Sequence, residues 1–178
     1  LWWGYENRRY EPSGHLWSPM APLTIERRDA ASTIWTGEEM IVWGGGRGID
    51  TFNSGGRYDP EHNQWRPTAV DSNTPLGGAP DTALWTGKEL LVWIGYREVG
   101  GRYDPLTDRW ARITSTGHPV GFGRAVWTGE EMLWWGYENR RYEPSGHLWS
   151  PMAPLTIERR DAASTIWTGE EMIVWGGG

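Results

Sequence analysis

Short runs of β-branched, aromatic and apolar residues punctuate this chain, and each is bounded by polar turn formers. Residues 31–35 (Ala-Ser-Thr-Ile-Trp) and 40–43 (Met-Ile-Val-Trp) have the content of strands, and Thr36-Gly37-Glu38-Glu39 supplies the turn between them. Residues 55–58 (Gly-Gly-Arg-Tyr) lead into a third strand. Asp59-Pro60 then opens a tight turn, the proline ring presetting φ, and Gln64-Trp65-Arg66 returns as a fourth strand. Four short antiparallel strands are predicted here.

The pattern recurs. One signature, Trp-Thr-Gly-[Glu/Lys]-Glu-[Met/Leu]-x-x-Trp, runs from Trp35 to Trp43, Trp85 to Trp93, Trp127 to Trp135 and Trp167 to Trp175. A second, Tyr-[Asp/Glu]-Pro-x-x-x-x-Trp, runs from Tyr10 to Trp17, Tyr58 to Trp65, Tyr103 to Trp110 and Tyr142 to Trp149. Successive copies lie 39 to 50 residues apart, the range of blade repeats, and four antiparallel strands per repeat make a β-propeller blade. The expected fold is all-β: a single propeller array over residues 1–178, with about four blades per chain. Its units are a partial blade over 1–26, blades over 27–77, 78–121 and 122–159, and a partial blade over 160–178.

The strand, the glycine pair, Tyr-Asp-Pro and the following Trp together resemble the kelch repeat, in its Trp-rich bacterial form. Gly44-Gly45, Gly55-Gly56 and Gly100-Gly101 stand where kelch repeats carry glycine pairs, and four recurrences cover essentially the whole chain. Ile94-Gly95 and Gly136-Tyr137 depart from the pair after the second strand. The resemblance implies a propeller without catalysis. Some kelch proteins are copper oxidases, but that chemistry uses a Tyr–Cys cross-link and this chain has no cysteine.

Thirteen of the 15 tryptophans occupy repeat positions. A residue that recurs once per blade is most simply a packing element between sheets, given the area an indole buries. That role is assigned to Trp35, Trp43, Trp85, Trp93, Trp127, Trp135, Trp167 and Trp175, and likewise to Trp3, Trp17, Trp65, Trp110 and Trp149. Trp2 and Trp134 fall outside the pattern, and a sugar platform there is the alternative to packing.

A net charge of −6 argues against a nucleic-acid partner, which requires a basic face. No apolar stretch is long enough for a membrane span. His15, His62, His118 and His147 lack metal-ligand spacing, no acid–base pair is recognisable, and no cofactor or metal is expected. The chain reads as a non-enzyme. Glu38-Glu39 and Glu130-Glu131 belong to solvated turns, and the Gly run at 44–46 precedes no helix, so it is no phosphate loop.

Turns within the hairpins keep nearly constant length, whereas the other loops vary widely, as residues 44–56 against 136–140 show. A functional rim and relaxed loops would both produce that contrast. Candidate rim residues are Arg47, Asp50 and Asn53 in the long loop, Tyr96, Arg97 and Glu98 in the next unit, and Tyr137, Glu138 and Arg140 in the third. They would suit a glycan or peptide ligand. Arg28, Asp29, Asp81, Arg124, Arg160 and Asp161 sit near the channel mouth, as ligand contacts or as mutual partners.

Residues 1–46 are identical to residues 133–178, linkers included. That identity points to recent duplication or engineering, and to a repeat fragment or engineered repeat scaffold. The chain starts and finishes at the same phase of the repeat, so blade edges stand open, and open edges template association. Homo-oligomerisation into a larger ring, with a dimer favoured, is the main expectation. Closure within one chain and an excerpt from a longer polypeptide are the alternatives. A binding module using one loop face is the rival function. The compartment is open.

Overall fold

The computed structural model describes residues 7–154 and 163–178. It begins with a hairpin of β1 (Arg8–Glu11) and β2 (Leu16–Pro19). The first four-stranded sheet holds β3 (Ser32–Trp35), β4 (Met40–Trp43), β7 (Gly55–Asp59) and β8 (Gln64–Pro67). A small ribbon, β5 (Gly46–Arg47) with β6 (Asp50–Thr51), rides on the connection from β4 to β7. The second sheet holds β9 (Thr82–Trp85), β10 (Leu90–Ile94), β11 (Val99–Asp104) and β12 (Arg109–Arg112). The third holds β13 (Gly123–Trp127), β14 (Met132–Gly136), β15 (Arg140–Glu143) and β16 (Leu148–Pro151). A hairpin of β17 (Ser164–Trp167) and β18 (Met172–Trp175) follows.

All pairings are antiparallel between consecutive strands of a sheet, and the register recurs. Met40 faces Tyr58, Leu90 faces Tyr103 and Met132 faces Tyr142. The first strands β3, β9, β13 and β17 neighbour one another in turn, a propeller-like arrangement. Among the described residues there is no α-helix, one 3-10 turn (Gly95–Arg97), and no helix long and apolar enough to cross a membrane. Residues 1–6 and 155–162, and with them Trp2, Trp3, Arg160 and Asp161, lie outside the described residues.

The second strands of the first two full sheets, β4 and β10, are sandwiched, so their alternating side chains serve two different cores. On β4, Met40 and Val42 pack with Met20, Tyr58 and Trp65, while Ile41 and Trp43 join Leu90, Val92, Ile94 and Trp110 of the second sheet. The other face of β10 sends Leu91 and Trp93 toward Met132, Trp134, Tyr142 and Trp149. Trp43 meets Trp110 at 5.1 Å between ring centroids, and Trp93 meets Trp149 at the same distance. Such tilted aromatic pairs contribute about 0.5–1.5 kcal/mol beyond the area they bury.

The glycine pairs have a steric cause. A Cβ on Gly55 would collide with the Trp43 ring and the Val42 carbonyl, and one on Gly100 would meet the Trp93 ring in the same way. The third sheet departs because Trp134 takes the place of Val42 and Val92. There the indole lies across Gly123 and Gly136 instead, so the glycines have moved with it.

Both hairpin turns are self-locking. In the first, the Thr36 hydroxyl accepts from the N–H groups of Glu38 and Glu39 and donates to the Glu39 carbonyl, and Thr86, Thr128 and Thr168 repeat the pattern. In the second, the residue five places after the tyrosine adopts a left-handed conformation: His15, Asn63, Asp108 and His147, at φ of 50–52°. Asn63 Oδ1 accepts from the Tyr58 hydroxyl (2.8 Å) and from the Ala21 N–H (2.9 Å) of the preceding linker. Asp108 Oδ1 accepts likewise from Tyr103 (2.5 Å) and Ala69 (2.8 Å). One side chain therefore ties a tight turn to both its own sheet and the one before.

Candidate functional site

The variable loops gather on the side of the sheets opposite these turns. Arg28 builds the first part of that surface. Its side chain is fully buried and donates to the carbonyls of Gly44 (3.1 Å) and Ser54 (2.6 Å), pairs with Glu26 at 3.4 Å, and lies 4.6 Å from the centre of the Phe52 ring. Burial lowers its pKa from the ordinary arginine value, with Glu26 opposing. The guanidinium is thus spent on holding residues 44–54 in place, and it faces no solvent. The ribbon so held presents Arg47 opposite Asp50, both exposed, with Asn53 half-buried at its base.

The second and third loops form a contiguous aromatic surface. Tyr96 stacks on Phe122 at 5.9 Å and an interplanar angle of 28°, with the Arg97 guanidinium 5.4 Å from the Tyr96 ring centre. Phe122 is 68% exposed and Tyr137 64%. Tyr137 adjoins Gly121, so the three rings share one side of the second and third sheets. Glu98 takes a left-handed conformation after the 3-10 turn and reaches His118 at 3.7 Å. Glu138 pairs with Arg140 at 2.8 Å. The backbone of Gly77 packs against Phe52 and Asn53, and Gly78 lies against the Tyr96 hydroxyl, which brings the first loop beside the second.

Just before β9, Asp81 accepts the Gly95 N–H at 2.7 Å. Burial pushes its carboxyl above the ordinary range, against that hydrogen bond and the Arg124 charge. Asp29 bonds the Gly46 backbone in both directions, and Arg124 donates to the Asp81 and Gly123 carbonyls. Among the described residues no three His, Asp or Glu side chains converge as a metal would require.

The tryptophans divide by context. Trp43, Trp93 and Trp134 are fully buried, Trp135 nearly so, and Trp85, Trp127 and Trp167 partly. Trp35 is half-exposed and Trp175 81% exposed. Trp134 therefore offers no sugar platform, since its ring is enclosed in the core between the second and third sheets.

The opposite, hairpin-turn side carries a groove of about 750 Å³ between the first two sheets, lined by Glu39, Arg57, Arg66, Trp85, Lys88 and Asp108 among others. A glutamate–arginine pair recurs on this side: Glu39 with Arg57 at 2.8 Å, Glu89 with Arg102 at 3.8 Å and Glu131 with Arg141 at 3.8 Å. Phe122 and His118 were not legible as rim residues in the repeat pattern, because both lie in a linker that varies between copies.

No protein-family profile matches the chain. Kelch-like protein 4 of Homo sapiens is 38% identical to it over 58 residues, one third of this chain and 8% of that protein's length. The chain therefore spans a small part of the relative it matches. The likeness, with the antiparallel four-stranded sheets, fits a kelch-type repeat.

Proposed function

We propose that the chain is a non-catalytic, Trp-rich kelch-like propeller scaffold that self-assembles through its open sheet edges. One observation carries this reading. Identical residues are buried in the full sheets and exposed in the two hairpins: Trp43 is 0% exposed and its twin Trp175 81%, while Tyr142 and Trp149 are 0% and 4% exposed against 38% and 50% for Tyr10 and Trp17. The same side chains that form cores in one setting lie open in the other, and an apolar face of that kind marks an interaction surface. Light scattering on a size-exclusion column tests it. A species of about 40 kDa, twice the 20.3 kDa chain, is expected. A monomer at all concentrations refutes the reading.

A second reading, a lectin-like or peptide-binding module, is favoured by the exposed Tyr96–Phe122 stack beside Arg97. Saturable binding on a glycan or peptide array, lost in Tyr96→Ala, would support it. Binding unchanged in that variant would count against it.

A further inference from the structure

Resting on the binding-module reading, we infer that the Tyr96–Phe122 stack is a platform for an acidic sugar, a pyranose ring bearing a carboxylate, within a glycan. The two rings lie 5.9 Å apart at an interplanar angle of 28°, and both are open to solvent, Tyr96 at 46% and Phe122 at 68%. Tyr96 comes from the 3-10 turn of the second sheet and Phe122 from the linker into the third, and both of those sheets have all four strands. Three residues after the second-strand tryptophan the other repeats carry Gly46, Glu138 and Gly178, so Tyr96 is no packing position of the repeat. The face of an aromatic ring is negative, and it attracts the weakly positive C–H face of a sugar ring.

The charge beside the rings is positive, in a chain whose net charge is −6. Arg97 Nε donates to the Tyr96 hydroxyl at 3.0 Å, which holds the guanidinium 5.4 Å from the ring centre. Arg124, two residues beyond Phe122, donates through Nη1 to the carbonyls of Gly123 (3.2 Å) and Asp81 (3.5 Å). Asp81 in turn accepts the Gly95 N–H at 2.7 Å, which ties Arg124 to the turn that carries Tyr96. Both arginines are exposed, and neither forms a salt bridge among the described residues. The nearby Glu98 is engaged with His118 at 3.7 Å. Two guanidinium groups held by neutral oxygens keep N–H donors for a carboxylate, which an arginine fork binds best.

The same loops favour a sugar over an acidic peptide. An extended peptide takes much of its affinity from main-chain hydrogen bonds. Around the stack the main chain is already committed: the Gly95 N–H to Asp81, the Glu98 N–H to the Gly95 carbonyl at 3.1 Å, and the Gly78 N–H to the Phe52 carbonyl at 3.3 Å. The Gly78 carbonyl accepts from Gly45 at 2.8 Å. What remains on offer is ring faces and guanidinium groups, the complement of a pyranose and its carboxylate.

Titration calorimetry with oligogalacturonate tests this, with the methyl-esterified oligomer as the same ring without its charge. Saturable binding of the acid is expected, weakened about three- to tenfold in the ester and in each of Phe122→Ala, Arg97→Gln and Arg124→Gln. Arg47→Gln, on the ribbon of the first sheet, should leave it unchanged. All four side chains are exposed, so these substitutions spare the core. Equal affinity for acid and ester would overturn the acidic sugar and leave the binding-module reading standing. An equal loss in Arg47→Gln would reduce the effect to net charge and overturn the site. Failure of both oligomers to bind would overturn the inference. A peptide array whose signal is lost in Tyr96→Ala would then keep the module reading, with a peptide as its ligand, and a blank array would remove both.

Discussion

Asp108 offers a sharp test of the turn-to-sheet tie. Its Oδ1 accepts two bonds, from the fully buried Tyr103 hydroxyl at 2.5 Å and from the Ala69 N–H at 2.8 Å. Asp108→Ala leaves the Tyr103 O–H without its acceptor, which costs about 1–3 kcal/mol for a buried polar group. It also places alanine at φ 52°, a further cost of about 1–2 kcal/mol. The half-buried Ala69 N–H turns to water and adds little. The expected loss is therefore about 2–5 kcal/mol. Asp108→Asn is the control, because Asn63 makes the same two bonds to Tyr58 and Ala21 at φ 51°. It should stay within about 1 kcal/mol of wild type, as asparagine tolerates the left-handed region. Urea unfolding followed by tryptophan fluorescence measures both. If Asp108→Ala costs under 1 kcal/mol, or Asp108→Asn costs as much as alanine, the reasoning is refuted.

Stability should also depend on alkaline pH. Burial pushes the Tyr142 phenol up to about 12, and it raises Tyr58 and Tyr103 in the same direction. A raised folded-state pKa means stability is fully present below the unfolded value near 10 and is lost as pH climbs beyond it, at roughly 1.4 kcal/mol per pH unit for Tyr142 until its own pKa is reached. Urea midpoints at pH 8 and pH 11 check this, and equal midpoints would sink it. Gly100→Ala should destabilise by about 1–3 kcal/mol through overpacking, since the new methyl meets the Trp93 ring and the Val92 carbonyl. The same change at Gly129, whose Cβ would meet nothing, should report backbone strain alone at φ 108°. Thermal melts of the two variants separate steric from conformational cost.

The strands and turns were legible because they are local: residues 40–43 and Thr36-Gly37-Glu38-Glu39 carry their conformation in their own chemistry. The double role of the second strand was partly legible, since alternation sends neighbouring side chains to opposite faces. What was not legible depends on partners distant in sequence. Nothing in the text around Arg28 says that its charge is enclosed by Gly44 and Ser54. Trp43 and Trp175 share one local sequence, so only their neighbours distinguish a core residue from a surface one. One signal was available and unused. The position five after each tyrosine reads His, Asn, Asp, His, types that accept hydrogen bonds, and Asn and Asp there tie turn to linker.

The sandwiching of β4 and β10 has a consequence for how the molecule comes apart. β10 divides its side chains between the sheet before it and the sheet after, and β4 divides its own between the sheet after and a cluster of its own sheet with the preceding linker, so no sheet owns a complete core. Stability then belongs to the contacts between neighbours, and loss of one sheet uncovers a face of the next. Amide exchange should accordingly be graded: fastest in the β1–β2 and β17–β18 hairpins, where Trp17 and Trp175 are exposed, and slowest along β10, whose five residues are all buried. Opening proceeds inward from the periphery, and the middle sheet is the last to let go.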